Sequence, residues 1–173
     1  MRLFDEHAES PAVKAVGWVS EIGDQPQLRL VSAVMVGAGL LGHRRLLRAG
    51  IRMLLAHELA TAIKSMIKHR VDRTRPRSAK SARHGEPRRG HSRAKEQSSF
   101  PSGHTAGAVA VAQAFSREFP EHRLAARSAA ALIGVAQIPR CAHYPSDVGV
   151  GAAIGLAAHA VVNAGLTAFE GRR

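Results

Sequence analysis

The chain has 173 residues, with 25 Lys and Arg against 13 Asp and Glu and a net charge of +12, so it reads as one domain with an anionic partner. Aromatic residues make up only 4% and no zinc-finger or RNA-binding signature is present, which counts against nucleic acid as that partner. The single cysteine, Cys141, excludes an intramolecular disulfide and a multi-cysteine metal site.

The opening "MRLFDEHAESPAVK" is too acidic and broken for a secretory signal peptide, and reads as a short N-terminal amphipathic segment. Five helices are expected after it, near residues 28–43, 48–68, 103–117, 123–138 and 147–168. The apolar segments are rich in alanine and do not alternate with period two, so no strand is expected. The last run, Val148 to Phe169, carries no formal charge and is long enough to span a bilayer. Leu30–Gly42, Met53–Ile67, Thr105–Phe115 and Ala129–Pro139 are shorter or interrupted, and become spans only by recruiting polar flanks. The fold class expected is all-α: an integral membrane bundle of about five membrane helices in a single domain, 1–173. A soluble bundle is the alternative, because buried helices there are also apolar and Ala-rich. Gly37, Gly39, Gly151 and Gly155 would let helices approach closely.

Between the second and third helices lies a long polar segment, with eleven Lys and Arg against three acids from Lys68 to Ser99. The loop is taken as 69–100, and a loop of this length is functional or flexible. Three clusters sit at helix ends. "KHRVDRTRP" runs from Lys68, closing a helix, to Arg75-Pro76. "PSGH", Pro101 to His104, opens the third helix. "HYPSD", His143 to Asp147, opens the last. With five helices crossing one layer, the second-to-third and fourth-to-fifth connections fall at the same end, so all three clusters can meet.

Their chemistry is that of an anion site. Lys68 and Arg75 provide a point charge and a planar fork for phosphate oxygens. Ser102 is placed to cap the helix, and the N–H groups of Gly103 and His104 point out of its end. His143 and Asp147, four apart, can pair so that Asp147 fixes the tautomer and the other ring nitrogen attacks phosphorus. His104 is then the general acid for the leaving oxygen. No metal site and no cofactor is called for, since the remaining histidines form no compact ligand set.

The three clusters together resemble the motifs of the type 2 phosphatidic acid phosphatase superfamily, which includes membrane lipid phosphatases, class A acid phosphatases and vanadium haloperoxidases. Lys-x6-Arg-Pro corresponds to Lys68, Arg75 and Pro76, Pro-Ser-Gly-His to residues 101–104, and His-x3-Asp to His143 and Asp147. The resemblance implies a helical, metal-independent phosphatase with its site facing outward from the cytoplasm. It makes His143 the nucleophile, Asp147 its partner, His104 the acid, and Lys68, Arg75, Ser102 and Gly103 the phosphate cradle. The third-motif arginine of that family would stand at position 137, where this chain has Gln137. Arg140, three residues on, is expected to supply the missing charge.

Basic short connections at His43–Arg48 and Arg117–Arg127, with the tail Arg172-Arg173, place those ends inside under the short-loop charge rule. The expectation is a multi-pass inner-membrane lipid phosphatase with an extracytoplasmic site, acting on an anionic phospholipid or polyprenyl phosphate through a phosphohistidine. The alternatives are a phosphate-binding membrane protein of the same fold without turnover, and a vanadate-dependent haloperoxidase. Head group and oligomeric state are not legible.

Overall fold

A computed structural model of the chain describes residues 17, 21–79, 85–92 and 94–171. The amphipathic segment expected at the N-terminus lies almost wholly outside them, as does the Arg172-Arg173 tail. Among the described residues five helices carry the fold: α1 (Gln25–Leu40), α2 (Arg44–Lys68), α3 (Gly103–Glu118), α4 (Arg123–Ala136) and α5 (Pro145–Glu170).

Local chemistry sets their ends. Asp24 precedes α1 in an extended conformation, with Pro26 in the first turn, where its missing N–H costs no bond. Helix α1 gives way to a turn in which Gly42 takes φ 108°, a value glycine adopts without strain. Helix α5 starts two residues earlier than its apolar run suggests, because Pro145 fixes the first turn and a capping box closes it. In that box the Asp147 carboxylate accepts from the Tyr144 N–H. Helix α4 stops at Ala136, two residues early, ahead of Pro139.

The expectation of no strand needs correction. Val71–Asp72 (β1) pairs antiparallel with Arg88–Arg89 (β2) inside the long basic loop. Two residues per strand are too few for any alternation to register in the sequence.

Helix α3 is the hub, packing against α2, α4 and α5 and touching α1. Its buried face is almost all small: Ala106, Ala110 and Ala114 meet Ala49, Met53, Ala56 and Ala60 of α2 and Ile154 and Ala158 of α5. A Cβ added at Gly155 would lie 2.6 Å from the Ala106 carbonyl oxygen and 2.8 Å from Val109 Cβ. The two backbones therefore touch where a side chain would hold them apart. The larger apolar residues point outward instead: Leu30 and Val34 of α1, Leu55 of α2, Leu132 of α4 and Val161 of α5 are exposed.

At the end of the bundle opposite the basic loop, Arg52 is buried in α2. It forms ion pairs with Glu118 and Glu170, each at 2.9 Å, and donates to Asn163 Oδ1 at 3.2 Å. Arg48 reaches the other oxygen of Glu118 at 3.0 Å, and Arg45 lies over the Phe119 ring at 4.3 Å. This cluster ties the closing turns of α3 and α5 to α2 and leaves the other end for the site.

The close α3–α5 contact predicts a matched pair of outcomes. Gly155→Val overpacks it and should cost about 1–3 kcal/mol, whereas Gly165→Val, in the same helix with nothing within 4 Å of its added Cβ, should cost less. Thermal melts of detergent-purified protein decide it, and equal midpoints for the two variants would contradict the packing.

Candidate active site

The three clusters converge at one end of the bundle, as the helix count requires. Chain 73–75 runs alongside 96–99: the N–H groups of Arg73 and Arg75 donate to the carbonyls of Gln97 and Glu96, and Ser99 N–H donates to the Arg73 carbonyl. Ser102 N–H donates to the Asp147 carbonyl at 3.0 Å, which stitches the start of α3 to the first turn of α5. Arg77 N–H reaches the Cys141 carbonyl at 3.1 Å, drawing in the α4–α5 connection.

A cavity of about 350 Å³ opens at this junction, lined by Gly23, Asp24, Gln25, Pro26, Lys64, Lys68, Arg75, Gly103, His104 and His143. Five residues singled out in the sequence are in that lining: Lys68, Arg75, Gly103, His104 and His143. Three are not. Ser102 is fully buried as the cap of α3, its hydroxyl oxygen accepting from Thr105 N–H and Thr105 Oγ1. Asp147 is fully buried behind His143. Arg140 extends to the N-terminal turn, 4.0 Å from Glu21 Oε1, although its charge is still felt at Arg75. Gln137 turns back on its own helix, its amide donating to the Ile133 carbonyl. Its carbonyl accepts the N–H groups of both Ala142 and His143. It holds the backbone of Ala142 and His143 rather than any position in the cavity.

The pairing of His143 with Asp147 differs from expectation. His143 Nδ1 makes its hydrogen bond with the Ser99 carbonyl at 2.6 Å, and Asp147 Oδ2 stands 3.7 Å away. Asp147 is otherwise engaged: one oxygen accepts from Ser99 Oγ and Tyr144 N–H, and the other from Arg73. Because a carbonyl only accepts, the bond to Ser99 puts the proton on Nδ1 and leaves Nε2 unprotonated. Burial holds the His143 imidazole below its ordinary titration range, with Asp147 pulling the other way. Burial also depresses Arg75, and the neighbouring Arg77 charge adds to the effect.

Sequence reasoning missed several participants. Arg73 bonds Asp147 and Ser146 Oγ while stacking over the Tyr144 ring at 4.0 Å. It lies within the first cluster, but nothing in an arginine-rich run marks one guanidinium as the partner of a distant carboxylate. Ser99 contributes both its carbonyl and its hydroxyl. Lys64 lines the cavity one helical turn before Lys68, a spacing that does signal a shared face. Asp24 meets His104. Among the described residues, no group of three or more His, Cys, Asp or Glu is placed to hold a metal ion.

These features define a class: an all-α bundle with a cationic, two-histidine cavity at one end. The chain belongs to the PAP2 superfamily, whose sequence profile matches residues 49–169. Among curated proteins it is 44% identical over 57 residues to a lipid A 1-phosphatase of Rhizobium etli. That match spans 33% of this chain and 25% of that protein, and a Rhizobium johnstonii lipid A 1-phosphatase matches equally over 23% of its length. Two crystal structures share the fold. Aquifex aeolicus LpxE aligns with a TM-score of 0.64 at 21% identity, over 93% of this chain and 90% of that one. The first transmembrane PAP2 type phosphatidylglycerolphosphate phosphatase from Bacillus subtilis aligns at 0.66 and 22%, over 94% and 82%.

The His143 geometry is checkable directly. Nitrogen-15 histidine NMR in detergent should find this ring as the Nδ1–H tautomer, with its titration midpoint below that of an unburied histidine. A lowered folded-state value means the charged form appears only as pH falls further. A midpoint above that of an unburied histidine, or an Nε2–H tautomer, would contradict the arrangement.

Proposed function

We propose that this protein is a membrane lipid phosphatase working through a phosphohistidine. The observation that carries the reading is a cavity in which Lys64, Lys68 and Arg75 surround two imidazoles, one with Nδ1 already committed to a backbone carbonyl. With that nitrogen occupied, Nε2 of His143 is the atom left to meet phosphorus.

The chemistry then follows from the lining. A phosphate ester enters with its oxygens among Lys68, Arg75 and the N–H groups opening α3, where the helix end favours negative charge. Ser102 keeps that end in shape as its cap, and Arg140 adds positive potential from the rim. His143 Nε2 attacks phosphorus as the bond to the leaving oxygen breaks, and His104 supplies that oxygen's proton. Water then attacks the phosphohistidine and gives its proton to His104. Inorganic phosphate departs and His143 is restored. Asp147 steadies the site through Ser99 and Arg73 instead of touching the phosphate. Preorganised cations of this kind are each worth about 10²–10³ in rate when they meet developing charge.

A lipid substrate is supported by the distribution of side chains. Small residues face inward and Leu or Val outward, the arrangement of helices packed in lipid, where close backbone contact replaces a hydrophobic core. Helix α5, 26 residues with a mean hydropathy of 1.5 in its most apolar window, is long and apolar enough to cross a bilayer. The solved neighbour from Bacillus subtilis is itself described as transmembrane. The named substrates of the relatives, lipid A and phosphatidylglycerolphosphate, share a phosphate on an anionic lipid. That is the substrate class proposed here, with polyprenyl phosphates included. The basic connections of the opposite end support a cavity on the extracytoplasmic face of the inner membrane.

The test is phosphate release by detergent-purified protein from phosphatidate, phosphatidylglycerol phosphate, lipid A and polyprenyl diphosphate. At least one should turn over in the presence of chelator. His143→Ala should lose at least about 10³-fold and trap no phosphoenzyme. Full activity in His143→Ala would overturn the mechanism.

A further inference from the structure

Asp24 precedes α1 in the extended conformation of a helix cap, and aspartate there ordinarily turns its carboxylate onto its own helix. This one does not: it makes no side-chain cap bond. Its Oδ1 lies instead 2.6 Å from Nε2 of His104. The preceding residue closes on the same ring, since a Cβ on Gly23 would sit 3.7 Å from His104 Cδ2 and 2.5 Å from Ile133 Cγ2. Both Gly23 and Asp24 line the cavity. The turn before α1 is thus a wall of the site, and its acid is spent on the histidine.

We propose that Asp24 is the positioning residue of the general acid: its carboxylate holds His104 through Nε2, favours the charged ring, and leaves Nδ1 to face the leaving oxygen. This rests on the phosphohistidine reading above. The electrostatic need is plain from the surroundings. His104 shares the cavity with Lys64, Lys68, Arg75 and His143, and also feels Arg140. Burial above all, and the positive groups beside it, disfavour a charge on this ring, yet a general acid must carry its proton when the substrate arrives. A carboxylate at hydrogen-bond distance is the counterweight. Glu21, the other acid of this turn, is directed toward Arg140.

The proton inventory closes. As the His143 Nε2–phosphorus bond forms and the phosphorus–oxygen bond breaks, the His104 Nδ1 proton passes to the leaving oxygen. His104 is then neutral and remains bonded to Asp24 through its Nε2–H. When water attacks phosphorus, its proton returns to Nδ1, the nitrogen–phosphorus bond breaks, and Asp24 has stayed a carboxylate throughout.

A leaving group that needs no proton separates this role from a merely structural one. Asp24→Asn keeps size and hydrogen bonding while removing the charge. It should lower kcat on phosphatidate by about 10²-fold, at least about tenfold more than on p-nitrophenyl phosphate, whose phenolate departs unprotonated. The alkaline limb of the phosphatidate profile should move to lower pH, because a ring without its counter-charge gives up its proton earlier. Asp24→Glu should recover most of the loss. The ratio of the two esters is measured on one sample, so a partly unfolded preparation cancels from it. Equal losses on both esters would overturn the proposal, as would higher activity in Asp24→Ala, which would make Asp24 a plug. The two readings separate cleanly. Turnover surviving in His143→Ala defeats the phosphohistidine, whereas a dead His143→Ala beside an unselective Asp24→Asn defeats only the role given to Asp24.

Discussion

One buried carboxylate organises this end of the molecule. Asp147 is fully enclosed, and a charge withdrawn from water must be matched by partners or it costs several kcal/mol. Its partners come from three separate stretches: Arg73 in the basic loop, Ser99 just before α3, and the Tyr144 N–H at the mouth of α5. Satisfying that charge therefore draws loop, third helix and last helix into one register. Only then does the Ser99 carbonyl stand beside His143.

The rest of the bundle serves the same register from a distance. Alanine and glycine along α3 allow α2 and α5 to come close enough for Lys68 and His143 to share a cavity. At the far end the Arg52 and Glu118 cluster fixes where α3 and α5 finish relative to α2. Bulky side chains are left over, and they face out. A helix set built in this way carries its directional information in polar contacts at the two ends and its tolerance for apolar change along the middle.

The sequence made much of this legible, and the gaps have physical causes. Helix ends were readable where proline, glycine or a capping residue marked them, and convergence of the three clusters followed from counting helices. Lys68, Arg75, Gly103, His104 and His143 do come together, because residue type at a helix end is a strong signal of what that end can bind. The hairpin of the basic loop left no trace, being two residues wide. The acceptor for His143 could not be read, since a backbone carbonyl has no residue type, and Asp147 at the right spacing drew attention to itself. Arg140 stands where charge is wanted but reaches toward the N-terminal turn, a direction that spacing along the chain does not give. Asp24 was hidden by its ordinariness: an acid a few residues ahead of a helix expected from residue 28 carries no signal of its own, and only the fold shows it turned to His104.

Fixing a histidine through the main chain has a consequence for how such a site is inherited. A tautomer held by a side chain can be lost in one substitution and regained in another. Here the acceptor persists whatever residue occupies position 99, so the orientation of His143 is written in the route of the backbone. Substitution scanning would register Ser99 only through its hydroxyl and pass over its carbonyl entirely. Changes that bend the chain between β2 and α3, without touching any residue of the cavity, are the ones to which this histidine is exposed.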